Sequence, residues 1–216
     1  MHRAGRFFLP AMDGFVLPEV GPRVPRLKRG AGLAPMARAL LRLSRWRVTG
    51  LLPNLPKLIV LAAPHSSLWD GIGGIGAAIA LGVKAHWLGK HSLFRGPLRR
   101  PLLAAGGIPV DRSRAHGAVA QVVREFRERE ALWLAIAPEG TRKPVTRWKT
   151  GFWHIARAAE VPLLLVAFHY PEKRIVVGPL YHVGEDLEED LRRIQRFYAP
   201  WRGRRGKSAL APQGSG

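Results

Sequence analysis

Residues 58–71 read LIVLAAPHSSLWDG, and this stretch decides the fold. The run Leu58–Ala63 is apolar and too short for a helix, the pattern of a strand buried on both faces. A helix is predicted over about 67–81, with Ser66 or Ser67 as its N-cap. His65 leaves the strand and Asp70 falls in the first helical turn. Within a helix, five residues turn through about 500°, so the two side chains meet only if the chain bends between them. A strand-to-helix corner supplies that bend. Asp70 can then accept a hydrogen bond from one imidazole nitrogen and leave the other as a base. Spacing alone favours a plainer reading, in which Asp70 supports the helix N-terminus and His65 is an ordinary polar residue.

Outward from this corner, strand and helix alternate. Residues 84–89, 107–112, 131–137, 162–168 and 174–178 read as strands. Helices are predicted at 97–105, 115–130, 150–160 and 185–198. In the helix at 115–130, Ala118, Val119, Val122, Val123 and Phe126 face inward. The pattern predicts an α/β fold: a mixed, largely parallel sheet covered by helices on both faces, preceded by an N-terminal amphipathic helix. That helix is expected over Leu33–Val48. Arg38, Arg42 and Arg45 form a basic stripe, and Leu33, Met36, Leu40, Leu41 and Val48 occupy the other side. The expected organisation is a basic N-terminal arm and amphipathic helix over 1–48, a main domain over 49–201, and a basic, disordered tail over 202–216.

The chain has 216 residues, of which 47% are hydrophobic, which excludes wholesale disorder. It has no cysteine, so disulfides, cysteine nucleophiles and thiolate metal sites are excluded. Against 35 Lys and Arg stand 15 Asp and Glu, a formal net charge of +20. Such an excess calls for an anionic partner: nucleic acid, a lipid surface or a phosphorylated substrate. The longest charge-free apolar stretch, Gly71–Val83, is short of the ~20 residues a membrane span requires and is rich in glycine, so it is expected as a core helix. Pro10 and Asp13 interrupt the apolar run near the N-terminus, which argues against a secretory signal.

Ligands of parallel α/β sheets bind at the carboxyl ends of strands. The strand at 131–137 runs into PEGTRK, where Glu139, Gly140, Thr141 and Arg142 follow at once. Gly140 permits positive φ or close approach. Thr141 offers a hydroxyl, and Arg142 a planar fork for phosphate or carboxylate. Read plainly, this is a polar turn with a Glu–Arg pair. Arg112 stands at another strand end. Two strand-end arginines and a His/Asp corner suggest a base beside an anion site.

Four blocks then resemble, in order, the glycerolipid acyltransferases, the family that acylates glycerol 3-phosphate and 1-acylglycerol 3-phosphate. His65-Ser-Ser-Leu-Trp-Asp70 is similar to its H-x4-D block, and Gly107-Ile-Pro-Val-Asp-Arg112 to its second. Pro138-Glu-Gly-Thr-Arg142 is similar to its EGTR block, and Val161-Pro162 to its fourth. Lys149 and Gly151 fit the Lys-x-Gly that usually follows EGTR. The resemblance spans about residues 45–180. It implies that His65 deprotonates an acceptor hydroxyl while Asp70 orients the imidazole. The acyl donor would be an acyl-CoA or acyl carrier protein thioester, and the acceptor a lysophospholipid or glycerol phosphate. Arg112, Glu139, Gly140, Thr141 and Arg142 would hold the acceptor's polar head. No cofactor and no metal are implied.

Other signals carry less. Gly71-Ile-Gly-Gly-Ile-Gly76 fits G-x-G-x-x-G, but it follows the His/Asp corner and no acidic residue lies about 20 positions on. These glycines are expected to let the helix pack closely on the sheet. His86, His91, His154 and His169 lack metal-ligand spacing. Trp69, beside the corner, reads as a core residue or as the lining of an acyl groove. The basic residues are spread along the chain without a nucleic-acid-binding motif, so no nucleic acid is expected. The leading expectation is a peripheral acyltransferase on the cytoplasmic face of an anionic membrane. The alternatives are a cationic binding protein without activity and a hydrolase on the same scaffold.

Overall fold

The computed structural model describes residues 16–27, 31–111, 115–141, 143 and 145–210. Among them seven strands form a single sheet: β1 Arg47–Gly50, β2 Lys57–Ala63, β3 Ala85–Lys90, β4 Gly107–Val110, β5 Leu132–Ile136, β6 Leu163–His169 and β7 Arg174–Tyr181. Their order across the sheet is β1-β7-β6-β2-β5-β3-β4. Every pairing is parallel except β6 with β7. The helices are α1 Ala34–Leu43, α2 Leu68–Leu81, α3 Arg99–Ala104, α4 Ala115–Glu128, α5 Gly151–Ala159 and α6 Leu187–Tyr198.

Alternation along the central strands divides the core. On β2 and β6, Ile59, Leu61, Leu163 and Leu165 point to the face covered by α4, α5 and α6, where they meet Phe126, Phe152 and Ile194. Leu58, Leu164, Val166 and Phe168 point the other way, toward Ala37 and Leu41 of α1 and Ala77 and Ala80 of α2. Both faces are therefore covered, which is why the central strands are apolar throughout.

The N-terminal helix is shorter than the expected Leu33–Val48. It ends at Leu43, Arg45 takes φ 62°, and the chain enters β1, a strand that the apolar spacing hid. Parallel pairing of Val48 with Ile175 at the sheet edge outweighs continued helix. The basic stripe is broken as well, because Arg38 Nε donates to Ala80 O at 2.8 Å and is tied to α2. Beside Arg38 and Arg42, α1 and the residue before it expose the apolar side chains Leu33, Met36, Leu40 and Leu43. Lys28 and Arg29, which with Arg23 and Arg26 make up a basic cluster in the N-terminal arm, lie outside the described residues.

The glycines of α2 also differ from expectation. Only Gly74 approaches the sheet, 3.4 Å from Phe168 Cζ by its would-be Cβ, whereas Gly71, Gly73 and Gly76 face open space. Trp69 is exposed rather than core. The segment expected as a disordered tail is packed through Leu210, with Ala209 buried beneath the Trp148 indole, whose Nε1 donates to Ala209 O at 3.0 Å. Local composition marked this segment as mobile; tertiary contacts with the sheet end hold it. Residues 211–216 lie outside the described residues.

Candidate active site

The carboxyl end of β2 leaves the sheet through a cis Ala63–Pro64 bond and places His65 at the corner. Ser67, in extended conformation, caps α2, and Asp70 closes the capping box from the N3 position. The box bends the chain back on itself, so that His65 Nδ1 stands 3.9 Å from Asp70 Oδ2. That gap is longer than a hydrogen bond, and an imidazole shift of roughly 1 Å closes it.

Asp70 is 1% exposed. Its Oδ2 accepts the backbone N–H of Ser66 at 2.5 Å and of Ser67 at 2.6 Å. Its Oδ1 accepts Ser67 Oγ at 3.1 Å and the Tyr170 hydroxyl at 2.5 Å. This dense donation compensates for burying a charge. Tyr170 lies just past β6, with its ring edge-on to Trp46 at 4.9 Å. Burial and the hydrogen bond to Asp70 push its phenol up to about 12, so it remains a donor at neutral pH. The sequence pattern ended a strand at residue 168 and gave Tyr170 no role; the partnership with Asp70 spans 100 positions and is invisible to local pattern.

The second corner follows β5. Glu139 turns beneath His65, and its Oε1 accepts the His65 backbone N–H at 2.8 Å. Its Oε2 is buried without a partner among the described residues. Burial pushes this carboxyl up to about 7, the nearby Asp70 charge adds to the shift, and the His65 N–H opposes it. Gly140 has φ 62°, a conformation that favours glycine, and a Cβ there would stand 2.7 Å from Cδ of the flexible Lys149 side chain, which would have to move aside. The Lys149 stem thus braces the turn, and its backbone N–H donates to Pro138 O at 2.9 Å. Thr141 Oγ1 accepts the Lys143 N–H at 3.3 Å, tightening the turn. Arg112 and Arg142 lie outside the described residues.

His65, Asp70 and Glu139 therefore converge at adjacent strand ends, with Gly140 and Thr141 shaping the turn beside them. His86 sits elsewhere: burial, then the charges of Arg129 and Lys84, hold its pKa down at about 4, the signature of a neutral core imidazole.

The chain resembles known proteins in sequence and in fold. A 1-acyl-sn-glycerol-3-phosphate acyltransferase of Escherichia coli (strain K12) is 34% identical over 103 residues, 44% of this chain and 41% of that protein. The match thus spans about two fifths of that relative's length. The crystal structure of the 1-acyl-sn-glycerophosphate acyltransferase PlsC from Thermotoga maritima shares the fold, with a TM-score of 0.56 at 17% identity over 78% of this chain and 76% of that one. The family model named Acyltransferase matches residues 45–169, which hold both corners and run to the end of β6, and the chain belongs to that family.

Proposed function

We propose that this chain transfers a fatty acyl group from an acyl thioester to a hydroxyl of a 1-acylglycerol-3-phosphate-type acceptor, with His65 as general base. The observation that supports this most strongly is the His65–Asp70 corner, because an imidazole 3.9 Å from a fully hydrogen-bonded carboxylate is placed to accept a proton with that carboxylate's support.

In this mechanism the nitrogen of His65 remote from Asp70 takes the proton of the acceptor hydroxyl. The resulting alkoxide oxygen attacks the thioester carbonyl, and the C–O bond forms. Asp70 stays ionised and stabilises the imidazolium. The tetrahedral intermediate collapses, the C–S bond breaks, and the leaving thiolate recovers the proton from His65. No covalent enzyme intermediate is formed, which accords with the lack of cysteine. General-base assistance of this kind contributes about 10²–10⁴-fold.

An acyl chain and a lipid acceptor must reach His65 from a bilayer. Among the described residues no helix is long and apolar enough to cross a membrane. Adjacent helices α1 and α2 instead expose an apolar surface of Leu33, Met36, Leu40 and Leu43 with Leu68, Trp69, Ile72 and Ile75. Exposed apolar side chains gathered on two helices that pack together suit an interaction site. In this reading it seats the protein on the lipid surface, and its α2 half begins at the catalytic corner. The testing experiment follows thioester consumption with and without lipid acceptor. Acceptor-dependent consumption supports transfer. Consumption unaffected by acceptor identifies a hydrolase, and none at all removes the enzymatic reading.

A further inference from the structure

Residues 17–26 precede the family-matched segment and return to the far end of α2. The Leu27 N–H is donated to Gly82 O at 3.0 Å and the Lys84 N–H to Pro25 O at 2.8 Å, with Arg26 bridged to Val83 between them. The Arg23 N–H is donated to Asn54 Oδ1 at 2.8 Å, and Val24 is buried. This fastened segment, one side of α1 and the last turn of α2 border an open groove of about 640 Å³. Ala80 at its edge lies about 18 Å along α2 from Leu68, so the groove stands at the opposite end of that helix from the His65 corner.

Three arginines line this groove: Arg26 from the returning segment, and Arg38 and Arg42 from α1. Arg26 Nη2 donates to Val20 O at 2.6 Å and Arg38 Nε to Ala80 O at 2.8 Å, and Val20 and Ala80 line the groove as well. Two guanidinium groups are thus fixed at its walls. Each of these bonds uses one of the five N–H donors of the fork and leaves others to meet an anion, whose phosphate oxygens the planar group matches. Among the described residues no carboxylate lines the groove, and the rest of its lining includes Leu17, Ala39 and Leu81. On α1 the side that carries Arg38, Ala39 and Arg42 is turned roughly 120° from the exposed apolar side of Met36, Leu40 and Leu43. The guanidinium groups therefore flank the surface that seats the protein on lipid in the reading above. Fixed cations, an apolar lining and an adjoining apolar face suit an anionic amphiphile better than a free anion.

We propose that this groove holds an anionic phospholipid of the bilayer, with the lipid phosphate among Arg26, Arg38 and Arg42 and its glycerol and first methylenes along the apolar lining. The bound lipid is an anchor and not a reactant, because the groove and the His65 corner stand at opposite ends of α2. The proposal goes beyond acyl transfer, and its test reads binding alone, so it stands or falls whatever reaction the chain performs.

The test measures sedimentation of the full chain with vesicles of phosphatidylcholine alone and of phosphatidylcholine mixed with phosphatidylglycerol. Three variants are compared with the native chain. Arg38→Gln/Arg42→Gln removes two cations from the groove. Ala39→Gln occupies the groove with a longer side chain and leaves every charge in place. Arg124→Gln/Arg127→Gln removes two exposed cations from α4, on the opposite face of the sheet, and controls for net charge. Binding to the mixed vesicles is expected to weaken at least ~5-fold in the first two variants and to stay within about twofold in the third. Equal losses in the two double variants would show general attraction by a chain of charge +20 and overturn the groove. Native binding by Ala39→Gln overturns it as well. Binding to phosphatidylcholine alone is expected to be the same in all four chains; a parallel loss there would locate the effect in the apolar face and not in the groove. Arg38→Gln also cuts the tie to Ala80, so Ala39→Gln, which keeps that tie, decides if the double variant melts early. Calorimetry with dihexanoyl phosphatidylglycerol and with inorganic phosphate separates lipid from free anion. Tighter binding of the lipid supports the proposal, and equal affinities overturn it.

Discussion

The first turns of α2 and α6 are built alike and do different work. Each contains a buried aspartate, Asp70 at 1% and Asp190 at 5% exposure. Each aspartate accepts a tyrosine hydroxyl at 2.5 Å, from Tyr170 and Tyr181 respectively. Each also accepts backbone N–H groups, Asp190 that of Gly184 at 2.7 Å, together with Trp153 Nε1 at 2.7 Å. Burial raises the Asp190 pKa, but the Tyr181, Trp153 and Gly184 donors outweigh it, and the net shift is downward. The difference lies in what stands next to the carboxylate and in who caps the helix. In α6 a separate residue, Asp186, accepts the N–H groups of Glu188 and Glu189, so Asp190 serves tertiary packing alone. In α2, Asp70 is both cap and neighbour of His65. The plain reading of Asp70 as a helix-terminal charge therefore holds, and the same carboxylate stands where the proposed role beside His65 requires it. A buried, tyrosine-held aspartate carries no functional proposal by itself; the imidazole beside it does.

The sharpest separation comes from His65→Ala, expected to lower acyl transfer by at least ~10²-fold with little change in thermal stability. Near-native turnover in the purified variant would remove His65 from the mechanism. Asp190→Ala should do the reverse. It removes the acceptor shared by the buried Trp153 indole, the half-buried Tyr181 hydroxyl and the Gly184 N–H, and is expected to cost about 3 kcal/mol by denaturant unfolding, with kcat of the folded fraction within about twofold. Loss of kcat at full stability would collapse the distinction between the two helices. The tyrosines repeat the contrast at smaller scale. Tyr170→Phe should lower kcat about tenfold with KM held, because the Asp70 carboxylate loses the donor that fixes its plane, whereas Tyr181→Phe should cost about 1 kcal/mol of stability and no kcat.

A pH test probes the acid beside the corner. Glu139 titrates at about 7 in the folded chain against an ordinary value of 4.5. Between those values the folded state holds a proton that the unfolded state has released, so this group's contribution to stability falls as pH rises through that window. Glu139→Gln should therefore gain Tm relative to the native chain at pH 8 compared with pH 5. A constant difference across that range would place the titration elsewhere. The smallest effect belongs to α2 itself. Gly76→Ala, where a Cβ meets nothing within 4 Å, should stabilise by about 0.5–1 kcal/mol.

What was legible in the sequence was local. The apolar run of β2, the capping residues of α2 and the punctuation after β5 each announce themselves within a few positions. Together they yielded the α/β sheet and a strand-to-helix corner at which His65 and Asp70 could meet, although spacing alone favoured the plainer reading and the ordered motif blocks were needed to single the pair out. β1 was hidden because Val48 fits a helical spacing as well as a strand, and only pairing with β7 decides between them. Tyr170 and the return of the chain after α6 were hidden because their partners, Asp70 and Ser66, lie far away in the chain. The arrangement of α1 was half legible: its apolar side was evident, but the tie from Arg38 to α2 depends on a carbonyl of another helix.

The position of β2 in the sheet has a consequence for the order of assembly. Neither of its chain neighbours, β1 or β3, lies beside it; it pairs with β5 and β6, so Ile59 meets Leu134 on one side and Leu163 on the other. The strand that leads into His65 must wait for segments that enter the chain much later. Closing such wide loops precedes any reward from the contacts they bring, and topologies dominated by distant pairings fold in milliseconds to seconds rather than microseconds. Refolding followed by the fluorescence of Trp133, on β5 in register with Leu58, should thus report the slow joining of the sheet's centre. Catalytic competence should emerge no sooner than that signal.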